Sequence, residues 1–92
     1  MGSNFIIEKF DRKGDFTLWK RKIKAVLMQQ KVDLAIRKEA NFTASVTEFQ
    51  RNEMKKMAYN TVFLHLSNSI TKECGDSEDP ATIWKRLDEL LL

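Results

Sequence analysis

The sequence predicts an all-α domain, a small bundle of about four to five helices preceded by an extended N-terminal arm. Three observations lead there. Apolar residues recur three and four apart in several separate stretches. Side chains that cap helices stand immediately ahead of those stretches. Three glycines and one proline in 92 residues are too few for the tight turns of a sheet.

The arm covers residues 4–10, where Phe5, Ile7 and Phe10 are apolar but Gly14 follows too soon for a helical period. These three are expected to lie on a helix surface, because leaving them in water forfeits several kcal/mol of burial. Asp11-Arg12-Lys13-Gly14 reads as a turn. Asp15 then caps a first helix with the stripe Phe16, Trp19, Ile23, Val26 and Leu27, closed by Gln30. Lys20, Arg21, Lys22 and Lys24 fall between the stripe positions. They read as a solvated face, with contact to RNA or to a neighbouring copy as the functional reading of the same residues.

Val32, Leu34, Ala35 and Ile36 fit an irregular continuation or a short turn of helix packed over the first. Arg37 to Ala44 is polar and reads as a loop. Ser45-Val46-Thr47-Glu48 has the S-x-x-E capping box and predicts the start of a second long helix. Its apolar members are Val46, Phe49, Met54, Met57, Ala58, Val62, Phe63, Leu64 and Leu66. From Ala58 onward they lie nearly all round, which places this helix at the bundle centre. Asn68 and Ser69 are the expected caps of a short third helix through Ile70 and Cys74, stopped by a left-handed Gly75. After the acidic loop Asp76 to Asp79, Asp79 and Pro80 form an N-cap and first-turn pair. Ile83, Trp84, Leu87, Leu90 and Leu91 stripe the last helix, which is still apolar at Leu92 and so reads as continuing into a longer natural protein. The expected core anchors are Phe10, Phe16, Trp19, Ile23, Leu27, Met57, Leu64, Trp84 and Leu87.

At 92 residues and 10.8 kDa the chain is one domain, residues 1–92, with one shared core. Apolar residues at 42% and charged ones at 32% fit a globular chain rather than a disordered tail. The apolar runs are too short for a bilayer. Sixteen Lys and Arg against 13 Asp and Glu leave +3, a bias too mild to mark a nucleic-acid binder by itself. With Cys74 as the single cysteine, an intrachain disulfide and a thiolate cluster are excluded, and a reducing, cytoplasmic setting fits. Met1-Gly2-Ser3-Asn4 lacks a secretion signal, and Ile6 stands where a myristoylation pattern needs Ser or Thr.

Catalytic apparatus is not visible. His65 is the only histidine, flanked by Phe63, Leu64 and Leu66, and reads as a core or half-buried structural residue. H-E-x-x-H, the phosphate-binding loop, G-x-S-x-G and C-x-x-C are all missing from the sequence. Cys74 stands at a helix C-terminus, where the dipole disfavours a thiolate. Asp88 and Glu89 project about 100° apart, wrong for a shared proton or metal. Trp19 and Trp84 read as core rather than a ligand platform, and Met28, Met54 and Met57 as core filler rather than an adaptable surface. The expectation is a non-enzyme with no cofactor, metal or small-molecule substrate, whose output is association.

The segments Phe5-Ile6-Ile7-Glu8-Lys9-Phe10, Gly14, Phe16-Thr17-Leu18-Trp19-Lys20 and Ala25-Val26-Leu27-Met28-Gln29-Gln30 resemble the opening of Gag polyproteins from copia-type LTR retrotransposons. Downstream, Ala58 with Leu64-His65-Leu66-Ser67 and Ala81-Thr82-Ile83-Trp84-Lys85-Arg86-Leu87 resemble the family's central helix with its following turn and its A-x-x-x-W-x-x-L helix. The family often has glycine after the Gln-Gln pair, where this chain has Lys31. The resemblance implies a retroviral-capsid-like N-terminal lobe that self-assembles into particles around the element's RNA. It implies a homo-oligomeric partner and no membrane. The second lobe and zinc knuckle of such proteins lie outside these residues, so RNA packaging is not assigned to this stretch. The alternative is a domesticated descendant acting as an RNA-binding or protein-adaptor module.

Overall fold

The computed structural model describes residues 7–36 and 45–92. Phe5, Ile6 and the expected loop Arg37 to Ala44 lie outside them. Among the described residues four α-helices follow in order: α1 Phe16–Gln29, α2 Glu48–Leu64, α3 Asn68–Glu73 and α4 Pro80–Leu91, with a 3-10 turn at Asp33–Ile36. Among the described residues there is no strand, only one isolated parallel bridge between Phe10 and Leu66. The all-α expectation holds.

Local chemistry fixes most boundaries. Asp15 caps α1 by accepting from the Leu18 amide at 3.1 Å. Asp79 caps α4 through the Thr82 amide at 3.2 Å, with Pro80 in the first turn where its missing N–H costs nothing. Both aspartates also place negative charge at the positive end of a helix dipole. The start of α2 differs from expectation. Thr47, not Ser45, is the N-cap, and it exchanges hydrogen bonds with Gln50 at 3.0 Å each way. The T-x-x-Q box two residues later closes the same ring as S-x-x-E, so the helix begins at Glu48. Likewise Ser67 caps α3 in place of Asn68 or Ser69.

Two helices, α1 and α3, end on left-handed residues. Gly75 has φ +84°, as expected of the stop after Cys74. At the end of α1 the left-handed residue is Lys31, φ +61°. The Lys31 amide donates to the Met28 carbonyl at 3.0 Å and the Val32 amide to the Leu27 carbonyl at 2.9 Å, the paired bonds of a Schellman ending. Val32 and Leu27, the two side chains such an ending brings together, are both buried in the core. Glycine, which the family resembled by the sequence often has here, takes this left-handed backbone without strain. In the turn before α1 it is Arg12, φ +68°, rather than Gly14, that turns left-handed, and its guanidinium pairs with Glu73.

The core is continuous from arm to α4. Phe10, Phe16, Trp19, Ile23, Leu27, Val32, Ala35, Ile36, Ala58, Val62, Leu66, Ile70, Cys74, Ile83 and Leu87 are buried together. The arm enters it as expected. The Phe10 amide donates to the His65 carbonyl at 2.9 Å, and the Ser67 amide to the Phe10 carbonyl at 3.0 Å. Between those bonds the Phe10 ring stands 5.3 Å from Phe16 and 5.7 Å from Trp19. Thr61, buried in α2, donates its hydroxyl to Gln30 Oε1 at 3.0 Å, tying the end of α1 to α2.

Two expected anchors are not core. Met57 is 47% exposed and Leu64 62%. The helix turns by about 100° per residue, so once Ala58, Thr61 and Val62 face α1, the 3-10 turn and α4, Met57 and Leu64 are carried round to the far side. The apolar run after Ala58 therefore belongs to two faces of α2. Trp84 is half-buried, packed against the core edge.

Leu27→Ala is expected to lower unfolding free energy by about 2–5 kcal/mol, whereas Leu64→Ala stays within about 0.5 kcal/mol of wild type, measured by urea denaturation. Relief of the left-handed backbone makes Lys31→Gly stabilising by roughly 0.5–1 kcal/mol in the same assay; no gain would remove the strain argument.

Candidate functional site

Neither histidine nor cysteine chemistry assembles into a site. The His65 ring sits at the end of α2 with Nδ1 2.6 Å from the Thr61 carbonyl, which can only accept, so Nδ1 carries the proton. That ring is half-buried. The Cys74 thiol is buried in the core. Its pKa is raised, first by burial and further by the nearby Glu73 carboxylate, against a lowering pull from Arg86. It is a protonated core thiol, not an activated nucleophile. Among the described residues no group of three or more His, Cys, Asp or Glu is arranged to hold a metal, and no helix is long and apolar enough to cross a membrane.

The basic residues of α1 divide. Lys20 flanks the apolar stripe on the side of α4, where its ammonium pairs with the Asp88 carboxylate. It also lies 4.7 Å from the Trp84 ring centroid and 5.7 Å from that of Phe16. This cation is a strut between α1 and α4, not part of an open patch. Arg21, Lys22 and Lys24 are exposed. Because 100° separates each residue from the next, they fan around the helix instead of forming one concentrated surface. Trp19, stacked at 5.9 Å on Phe16 and 6.4 Å from Trp84, is buried. A shallow cleft of about 500 Å³ runs along the arm and the start of α1, lined by charges of both signs that include Glu8, Lys9, Asp15 and Lys22.

The surface that sequence reasoning missed is the outer side of α2. Phe49 is 72% exposed, and with Met57, Leu64 and Phe63 at 41% it forms an apolar strip within an arc of about 120°. Tyr59 stacks on Phe63 at 5.6 Å along one border. At the N-terminal end, Val46, Phe49 and Met54 frame an open apolar hollow of about 410 Å³. The strip runs the length of the longest helix, so it is not the usual scatter of single exposed apolar groups. Its signal was present in the sequence. A helix whose apolar residues lie all round has one more apolar face than a domain of this size can cover.

Lys20→Ala is expected to cost about 0.5–1.5 kcal/mol of stability, while Arg21→Ala and Lys24→Ala stay within about 0.5 kcal/mol, since of these three Lys20 alone is paired among the described residues. Thiol labelling of Cys74 at pH 8 should be slow in buffer and fast in urea. Because the folded-state pKa is raised, stability should be flat below the ordinary thiol pKa and fall as pH rises through the folded value. Rapid labelling of the native protein would show the thiol to be accessible.

No family model matches the chain, and no solved structure does. The chain is 22% identical over 91 residues to the retrovirus-related Pol polyprotein from transposon TNT 1-94 of Nicotiana tabacum. The similarity takes in 99% of this chain but only 7% of the polyprotein, in its N-terminal part. The chain thus spans a small fraction of the relative it matches and is similar to the N-terminal part of that polyprotein.

Proposed function

We propose that this chain is the N-terminal capsid lobe of a copia-type Gag, a non-enzymatic structural domain that associates with copies of itself in the cytoplasm to build particles enclosing the element's RNA. The likeness to the N-terminal part of a retrotransposon polyprotein supports the class of source. The observation that carries the associative role is the uncovered apolar strip of α2, a surface that costs solubility unless another surface meets it. Shell building repeats modest contacts many times, and contacts of about 1,000 Å² or less suffice when each copy makes several.

The second reading is a domesticated RNA-binding or adaptor module, supported by the exposed Arg21, Lys22 and Lys24. The two separate by experiment. Sedimentation velocity of nuclease-treated protein from about 10 µM to 1 mM should show concentration-dependent growth in mean mass. Arg21→Glu with Lys22→Glu and Lys24→Glu should leave that growth in place. A monomer at every concentration, joined to RNA affinity whose logarithm falls with log salt and collapses in the triple variant, would replace the capsid reading with the RNA-binding one.

A further inference from the structure

The arm reaches the core through an exposed and strained connection. Asp11, Arg12, Lys13 and Gly14 are all exposed, and among the described residues no main-chain hydrogen bond holds them. Asp11, Lys13 and Gly14 border the open cleft of about 500 Å³, so little packs against this hinge. The chain reverses there by putting Arg12, and not the nearby glycine, into the left-handed region at φ +68°. A residue with a Cβ is strained in that conformation. The ion pair of Arg12 with Glu73 offsets little of the strain, because both side chains are 42% exposed.

The slot that the arm fills is specific. It offers the His65 carbonyl and the Ser67 amide to the main chain of Phe10, at 2.9 and 3.0 Å, and the rings of Phe16 and Trp19 to its side chain. An empty slot strands these groups, so an arm must occupy it. None of the contacts requires the arm of the same chain. Resting on the proposed self-association, we infer that two copies exchange arms. Each copy straightens at residues 11–14 and lays its residues 7–10 in the slot of the other, a reciprocal swap about a two-fold axis. Straightened, the four hinge residues reach about 13 Å, enough to carry the arm across to a slot standing opposite. The contacts of Phe10 are kept in the pair, while both left-handed residues relax, and short strained hinges favour such a swap for that reason. With the contacts equal, the dissociation constant is set by the effective concentration at which the hinge presents the arm to its own slot, on the order of 1 mM for a short linker. Relief of two left-handed residues improves this by roughly thirtyfold, to a Kd of tens of micromolar.

The test is sedimentation equilibrium of the wild-type chain and two hinge variants, up to about 1 mM, joined to a direct readout of exchange. Arg12→Gly removes the strain from the closed form and should weaken the dimer about tenfold or more. Lys13→Pro forces the residue before it into extended backbone, which the closed hinge cannot accept, and should strengthen the dimer about tenfold or more. Both positions lie outside the core, and urea denaturation checks that each variant unfolds cooperatively. In an equilibrated mixture of isotope-labelled and unlabelled wild-type protein, filtered nuclear Overhauser contacts should appear between Phe10 of one copy and Trp19 of the other. A dimer without those cross-copy contacts, or association that the two hinge variants do not shift in opposite directions, overturns arm exchange and leaves self-association through another surface standing. A wild-type chain that stays monomeric throughout overturns both.

Discussion

Two main-chain hydrogen bonds at Phe10 hold the arm against the α2–α3 link, and much of the molecule is arranged around the ring they position. That ring contacts Phe16 and Trp19, Trp19 continues to Trp84, and Lys20 spans from the Phe16 side to the Trp84 side with its ammonium on Asp88. The arm, α1 and α4 therefore share one aromatic seam. Without the bridge Phe10 would lie in water and Trp19 would lose a wall. A small domain buries only a modest fraction of its surface, so one such seam accounts for a large part of the available apolar contact.

The same scarcity of interior explains α2. Each helix can give one face to a single core, and α2 gives Ala58, Thr61 and Val62. Those side chains are small or medium, which lets α2 approach α1, the 3-10 turn and α4 closely. The larger Phe49, Met57 and Leu64 are left outside. A chain selected only to fold alone gains nothing from carrying Phe and Leu there, which is why these residues support the self-association proposed above.

Features set by neighbouring residues were legible in the sequence. Asp15, the Asp79-Pro80 pair and Gly75 act through bonds or dihedrals within a few residues, and the sequence pattern located each. The α2 start was misplaced by two residues because S-x-x-E and T-x-x-Q overlap there, and the backbone uses the second. What distant packing decides was not legible. Lys20 could be read as solvated until α4 brought Asp88 and Trp84 beside it. Met57 and Leu64 have core composition, but their exposure follows from the rotation of α2 that its buried face imposes. The candidate interaction face had the same fate, hidden inside a pattern that looked uniformly apolar.

α3 is six residues long, far below the length at which an isolated helix holds in water. Its persistence is borrowed. Ser67 caps one end, Ile70 and Cys74 are sunk in the core, and the Arg86 guanidinium of α4 donates to the Cys74 carbonyl at 2.6 Å at the other. A Cβ at Gly75 would come within 2.5 Å of that guanidinium, so a side chain there would push the Arg86 head group aside. The amides of α3 should consequently exchange with solvent deuterium in step with those of α4, the two segments opening as one cooperative unit despite the loop between them.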